Sequence, residues 1–429
     1  MDTSYLPKGS RRLLLLLSMW PVYFALNYLY VFAVKIAALN SVKAAKWING
    51  RKEFPKFVIP EGHKVVWMHC ASLGEFEQGR PLIEKIKQEF PDIYLILSFF
   101  SPSGYEIRKN YSGVDSVCYL PADLPGHACR FIQGLKPDLV IFVKYEFWAG
   151  YLHELKKRNI PAYLISARFR PGQFVLSPAG GWIRSFLNAF NVIFTQDENS
   201  KKLISRKLDS KIVIAGDTRF DRVSENAANP QKFPEIEALI NQRIVFVAGS
   251  TWENDEEVIF PLSNSLVFTL VAPHEITEKH LQQLKQCCPQ PAFLYSEIDR
   301  IDSKNPPATL IIDNVGMLMS VYKMAHIAYV GGAFHKQLHN ILEPAAMGIP
   351  VLFGPYTNKF PEAEELQKSG GGFSISNHQE FLFTFQELIS DVAKLHKAGK
   401  NATEYVRKNR GAAELIMKEL RPFFQSTQK

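Results

Sequence analysis

The chain has 429 residues, 46% hydrophobic and 21% charged, an ordinary globular composition too long for one core of usual size. The formal net charge of +8 is concentrated in residues 1–60, where nine Lys or Arg stand against Asp2 and Glu53, a net +7. The remaining body is nearly neutral, which excludes a basic groove tracking a nucleic-acid backbone and leaves a basic collar beside something else.

That neighbour is the uncharged run Leu13 to Val34, which includes five consecutive leucines, Trp20, Phe24 and Phe32. As a helix at about 1.5 Å per residue it spans roughly 33 Å, the thickness of a bilayer's hydrocarbon core. It is longer than the apolar region of a secretory signal, about 7–15 residues. Pro21, Asn27 and the interspersed tyrosines equally suit a helix lying in the membrane plane. Six basic residues follow the run and three precede it, so the large body is expected on the cytoplasmic side, with the collar against anionic lipid. The five cysteines (Cys70, Cys118, Cys129, Cys287, Cys288) form no C-x-x-C pair, which fits a reducing compartment.

After Pro60, short apolar runs alternate with helical patterns. Strands are expected at 65–70, 94–99, 116–120, 139–143, 162–166, 192–195 and 212–215, with helices such as 75–90 and 147–157 between them. From about 220 to 242 the sequence is rich in Asn, Pro, Glu and Gln and carries no strand, which marks a domain boundary. Strands resume at 244–248, 267–271, 292–295, 309–312, 327–330 and 351–353. Nearly continuous apolar strands separated by helices indicate parallel sheets covered on both faces. The expected domains are 1–60 (anchor and collar), 61–222, 223–402, and a helical stretch 403–429 that returns to the first domain.

Ligands of such sheets lie beyond the strands' carboxyl ends, and the polar residues collect there. In the first half, His69-Cys70-Ala71-Ser72-Leu73-Gly74-Glu75 follows the first strand, with Gly74 expected to make a tight turn before the helix. Glu146 stands after the fourth strand in Lys144-Tyr145-Glu146-Phe147-Trp148. Two carboxylates at strand ends of one sheet suit acid–base work or substrate orientation. Arg168 and Arg219 follow later strands and suit a carboxylate or phosphate.

The second half has Gly249-Ser250-Thr251-Trp252, Ala272-Pro273-His274, Asp313-Asn314-Val315-Gly316-Met317-Leu318, and Val330-Gly331-Gly332 followed by His339-Asn340-Ile341-Leu342-Glu343-Pro344. Glycines at a strand end let a backbone approach a ligand closely, and a following helix start suits phosphate. A glutamate one turn into that helix suits ribose hydroxyls, as in nucleotide-sugar glycosyltransferases. His335 and His339 have metal-ligand spacing, but a loop is expected there and no metal or other cofactor is.

The ordered series Ala71-Ser72-x-Gly74-Glu75, Glu146-x-Trp148, Ala167-Arg168, Gly216-x-x-Arg219-Phe220-Asp221, Gly249-Ser250-Thr251, Pro273-His274, Gly331-Gly332 and His339-Asn340-x-x-Glu343-Pro344 resembles the 3-deoxy-D-manno-octulosonic acid (Kdo) transferases of lipid A assembly over essentially the whole chain. The resemblance implies an α/β fold of the GT-B type, two facing Rossmann-like domains with an amino-terminal membrane anchor. It also implies inverting, metal-independent transfer from CMP-Kdo to a lipid A precursor such as lipid IVA at the cytoplasmic face of the inner membrane. Glu75 would be the base, with Glu146 and Arg219 assisting the transition state and Ser72, Gly74 and Arg168 near the acceptor or sugar. Donor contacts would come from Ser250, Pro273, His274, Gly316 to Leu318, Gly331, Gly332 and Asn340 to Glu343. Gln337-Leu338, Ala272, Met317, Trp252 and Arg219 depart from the family pattern. Another lipid-directed glycosyltransferase using a UDP-sugar, or a UDP-sugar 2-epimerase of the same fold, remains the alternative.

Overall fold

The computed structural model describes residues 8–260, 262, 266–302, 304–335 and 337–426, with side chains from residue 19 onward. The chain divides into two compact units, Met1–Arg219 with Gly411–Lys429, and Phe220–Arg410.

The first unit is built on a seven-stranded parallel sheet, β1 (Val65–Cys70), β2 (Tyr94–Phe99), β3 (Ser116–Tyr119), β4 (Leu139–Val143), β5 (Ala162–Ala167), β6 (Val192–Thr195) and β7 (Lys211–Ile214), in the order β3-β2-β1-β4-β5-β6-β7. Every residue of β1 and β4 is buried, as expected for strands covered by helices on both faces. One layer packs Trp67, Phe131, Phe142 and Tyr151 together. On the other face Met68, Leu82, Ile83 and Ile86 meet Ile416, Met417 and Leu420 of the helix Ala412–Gln425.

The expected helical stretch 403–429 therefore draws on two helices. Val392–Asn409 belongs to the second unit, and Gly411, at φ +110, turns the chain before Ala412–Gln425 joins the first. Only glycine adopts such a φ without steric cost.

The second unit repeats the plan with β8 (Ile244–Thr251), β9 (Val267–Pro273), β10 (Ala292–Leu294), β11 (Thr309–Ile311), β12 (Ile327–Val330), β13 (Val351–Phe353) and β14 (Gly372–Ser374), all parallel, in the order β10-β11-β9-β8-β12-β13-β14. Strand β14 went unforeseen: a three-residue strand beginning with glycine carries too little pattern to read. Residues 219–240 form the helices Arg219–Ala228 and Pro234–Ile240, in line with the absence of a strand there.

The amino-terminal helix runs Lys8–Ala37, with Pro21 inside it. Its stretch Met19–Ala37 is long and apolar enough to cross a membrane, by length and composition. One side rests on the first unit: Trp20 packs edge-on against Trp182 and Phe186, and Tyr30 against Trp47. Val22, Leu26, Leu29, Phe32 and Ile36 are exposed on the remaining surface.

A buried polar contact fastens this helix. The Tyr23 hydroxyl donates to Asp123 Oδ2 at 2.6 Å, and the Gly150 N–H donates to the same oxygen at 2.7 Å. Burial pushes the Asp123 carboxyl up to about 6, with the Tyr23 and Gly150 bonds pulling the other way. A carboxyl whose folded pKa is raised binds its proton more tightly in the folded chain. The destabilisation is absent below the unfolded value of 3.8, grows as pH rises, and is complete above about 6. Asp123→Asn is expected to remove this slope, ~3 kcal/mol between about pH 4 and 6. Denaturant midpoints of the first unit, measured at pH 4, 5 and 6 for both proteins, check it.

Candidate active site

In each sheet the strand order reverses beside the unit's first strand: between β1 and β4 in the first, between β8 and β12 in the second. The crevice at such a reversal is where α/β sheets bind ligands.

In the first unit β1 ends at Cys70 and the helix Leu73–Glu89 begins almost at once. Ser72 occupies the N-cap position, yet its side chain caps no backbone N–H. Instead its hydroxyl donates to the Glu75 carboxylate. Gly74 is not a turn residue, contrary to expectation, because it lies inside the helix. A Cβ there would meet nothing nearer than Ser72 Oγ at 3.8 Å, so the glycine leaves the surface beside Glu75 bare.

Glu146 follows β4 in an irregular turn, since the next helix starts at Ala149 and not at Phe147. Lys144 opens that turn at φ +72. Glu146 Oε2 accepts from Trp148 Nε1 at 2.5 Å and pairs with His69 Nε2 at 3.1 Å. His69 is fully buried on β1, and its Nδ1 lies 2.8 Å from Ser98 Oγ, which accepts from Trp67 Nε1 at 2.7 Å. One assignment satisfies every member without a charge on the imidazole: Trp67 donates to Ser98, Ser98 to Nδ1, and Nε2–H to Glu146. Burial, then Glu75 and Glu146, push the Cys70 thiol well up, so both carboxylates act on the end of β1 and the thiol stays neutral.

The two arginines are already engaged. Arg219 donates to Asp217 Oδ2 through Nε at 2.9 Å and Nη2 at 2.7 Å, and Arg168 Nε lies 3.6 Å from Asp197 Oδ2.

In the second unit β8 does not stop at Ala248. It runs on to Thr251 through Ser250 at φ +53, where its register with β9 shifts. This conformation, costing about 1–2 kcal/mol for a non-glycine residue, brings the Ser250 carbonyl against Gly331. A Cβ on Gly331 would stand 2.3 Å from that oxygen, and one on Gly332 would stand 2.3 Å from Gln337 O and 2.9 Å from His339 Cδ2. The glycine pair is therefore required by backbone approach within the protein. Asp255, fully buried, ties the loops together: its carboxylate accepts from Tyr329 Oη at 2.7 Å, Gly332 N at 2.8 Å and Trp252 N at 3.0 Å. Behind it Glu256 accepts from Thr251 Oγ1 at 2.8 Å and meets His280 Nε2 at 3.0 Å.

The short helix after the glycines is Leu342–Ala346, so Glu343 sits in its first turn and not one turn further. Ile341 and Leu342 are in the core, leaving Asn340 and Glu343 as the side chains presented there, joined by Asn340 Nδ2 donating to Glu343 Oε1 at 3.0 Å. Met317 is also a core residue, and Leu318 packs against that core, so both serve a ligand only through backbone. Gly316 precedes them at φ +102. Pro273 closes β9, and the exposed His274 ring stacks on His339 at 4.2 Å. His335 and His339 do not share a helical face, because only Ala333–His335 forms a 3-10 turn. Among the described residues no group of three or more His, Cys, Asp or Glu could hold a metal ion.

Two parallel seven-stranded sheets with polar groups at both reversal points define an α/β fold of the GT-B type. Solved structures of the same fold include UDP-GlcNAc 2-epimerase from Neisseria meningitidis bound to UDP-GlcNAc, at 14% identity and TM-score 0.58 over 84% of this chain and 100% of that one. The UDP-GlcNAc 2-epimerase from Methanocaldococcus jannaschii is similar at 15% identity and TM-score 0.51, covering 80% and 98%.

Sequence relatives narrow the class. Residues 47–222 match the family described as 3-deoxy-D-manno-octulosonic-acid transferase (kdotransferase). The Kdo transferase of Haemophilus influenzae is 27% identical over 85% of this chain and 88% of its own length, and that of Chlamydia trachomatis serovar A 28% over 86% of each. The Aquifex aeolicus enzyme is 27% identical over 79% of this chain and 90% of its own. Over residues 47–222 the chain is thus similar to the Kdo transferase family, and these relatives, similar over most of its length, are Kdo transferases, a kind of glycosyltransferase.

Proposed function

We propose that the protein transfers Kdo from CMP-Kdo to a lipid A precursor such as lipid IVA, with inversion and without a metal. The observation that carries this reading is the Ser72–Glu75 pair at the strand-order reversal of the first unit. A hydroxyl attacking an anomeric carbon must lose its proton as it attacks, and a carboxylate held by a neighbouring hydroxyl, beside a bare helix surface, suits that task. Glu146, oriented by His69 and Trp148, and Arg219, oriented by Asp217, assist as charge develops. The nucleotide is assigned to the second unit, at Ser250, Pro273-His274, Gly316 to Leu318, Gly331-Gly332 and Asn340 to Glu343. Backbone N–H groups there suit a departing phosphate monoester.

The exposed apolar stripe of the amino-terminal helix is read as an in-plane attachment to the cytoplasmic face of the inner membrane, because its other side is occupied by the first unit. Incubation of the protein with CMP-Kdo and a tetra-acylated lipid A precursor, resolved by mass spectrometry, is expected to show addition of Kdo. No addition with CMP-Kdo, together with sugar transfer from a UDP-sugar or isomerisation of UDP-GlcNAc, would overturn the proposal in favour of the alternatives.

A further inference from the structure

At the carboxyl ends of β8, β9 and β12 the second unit assembles an aromatic and imidazole cluster that the roles above do not explain. Trp252 lies 4.7 Å from His274 and 5.4 Å from His335 by ring centroid, and His274 stacks on His339 at 4.2 Å with an interplanar angle of 27°. Within it the Trp252 indole Nε1 is 3.2 Å from His339 Nε2. An indole nitrogen is a donor only, so His339 Nε2 must be the acceptor, and the one ring proton of the neutral imidazole is then on Nδ1.

We infer that Trp252 is a positioning residue whose N–H fixes His339 as the neutral Nδ1–H tautomer, leaving that N–H to donate to an anionic oxygen of a nucleotide sugar. The ligand class rests on the donor-site reading above; the tautomer does not.

The surroundings point the same way. His339 is half-buried, and its Nδ1 has no hydrogen-bond partner among the described residues. A proton on Nε2 would face the indole N–H head-on, and a ring protonated on both nitrogens would also put a cation against the stacked His274. The groups facing the ring are Trp252 from the end of β8, His274 from the end of β9 and the Gly332 backbone, with His335 lying against Trp252. Among the described residues no carboxylate pairs with His339. Burial, then the neighbouring His274, bring its pKa down to about 4. The Trp252 backbone is itself pinned, since its N–H donates to Asp255 Oδ2. The same oxygen holds Gly332, so indole and glycine loop share one anchor.

A neutral donor has a chemical use at this place. It stabilises the negative oxygen of a phosphate without becoming the acid that protonates it.

The full chain, labelled with 15N-histidine, is expected to show the Nδ1–H form of His339 at pH 7 in long-range proton–nitrogen spectra, with a titration midpoint near 4. In Trp252→Phe, which keeps an aromatic ring and loses the indole N–H, the midpoint should rise, since an N–H donated to Nε2 favours the neutral ring, and the Nε2–H form should appear. Two substitutions of His339 give an independent test by calorimetry with CMP. An asparagine amide can place its N–H where Nδ1 stands, and a glutamine amide places it near Nε2. His339→Asn should therefore bind CMP within about threefold of the parent, and His339→Gln about tenfold more weakly. An Nε2–H tautomer in the parent, an unchanged midpoint in Trp252→Phe, or equal CMP affinity for the two amide variants would overturn the inference. The spectra require no turnover, so they decide the tautomer even if the transfer assay fails.

Discussion

Glu75→Gln is expected to fold, to bind CMP like the parent, and to lose turnover by about 10²–10⁴-fold. The amide is nearly isosteric, and its oxygen still accepts from the Ser72 hydroxyl that now donates to the carboxylate, so the local geometry survives. What disappears is the ability to take a proton. The loss should fall on kcat with little change in KM, because the missing interaction forms only as the acceptor hydroxyl attacks. Steady-state rates with saturating donor and acceptor, beside a thermal melt showing an intact fold, check this. Near-normal turnover in this variant would exclude Glu75 as base and move attention to Glu146, whose oxygen is already occupied by Trp148 and His69.

Asp255→Ala is expected to cost the second unit several kcal/mol, on the order of 3–5. Three donors end on this one buried carboxylate, from Tyr329, Gly332 and Trp252. Each donor left unsatisfied in the interior costs about 1–3 kcal/mol, a large part of a domain's net stability of about 5–15 kcal/mol. Asp255→Asn keeps one acceptor oxygen but turns an NH2 toward a remaining donor, so it should fall between parent and alanine. Because the same bonds hold Gly332 and Trp252 in place, CMP affinity should fall in the same order. Denaturant midpoints of the unfolding step of the second unit, with calorimetry at a temperature where all three proteins are folded, separate the two effects. If Asp255→Ala unfolded within about 1 kcal/mol of the parent, the carboxylate would not be what holds these loops.

Much of the sheet architecture was readable because strands buried on both faces are nearly continuous apolar runs. β1, β2, β4, β6, β12 and β13 start and stop where the apolar runs do. The misreadings share another cause. Gly74 looked like a turn because glycine usually marks one, yet the helix begins at Leu73 and passes through it. β8 looked finished at Ala248, since no rule of composition foretells a serine at φ +53 inside a strand. The placement of Glu75 and Glu146 beyond strand ends was legible from position alone. The distant pairings were not: His69 is 77 residues from Glu146, and in the second unit Asp255 is 77 from Gly332. Asp255 left only a faint sign, as one of the acids opening the helix Glu253–Ile259. Such a residue reads as a cap until the fold shows what else its oxygens hold.

The chain path through the first unit has a consequence for how the protein is made. The helix Ala412–Gln425 supplies Ile416, Met417, Leu420 and Phe424 to the core that Val66, Leu82 and Ile86 began, but every residue of the second unit is translated between them. At about 5–20 residues per second the nascent first unit waits roughly 10–40 s for its missing wall. During that interval a greasy face stands uncovered at the ribosome, and the half synthesised earliest is the half completed last.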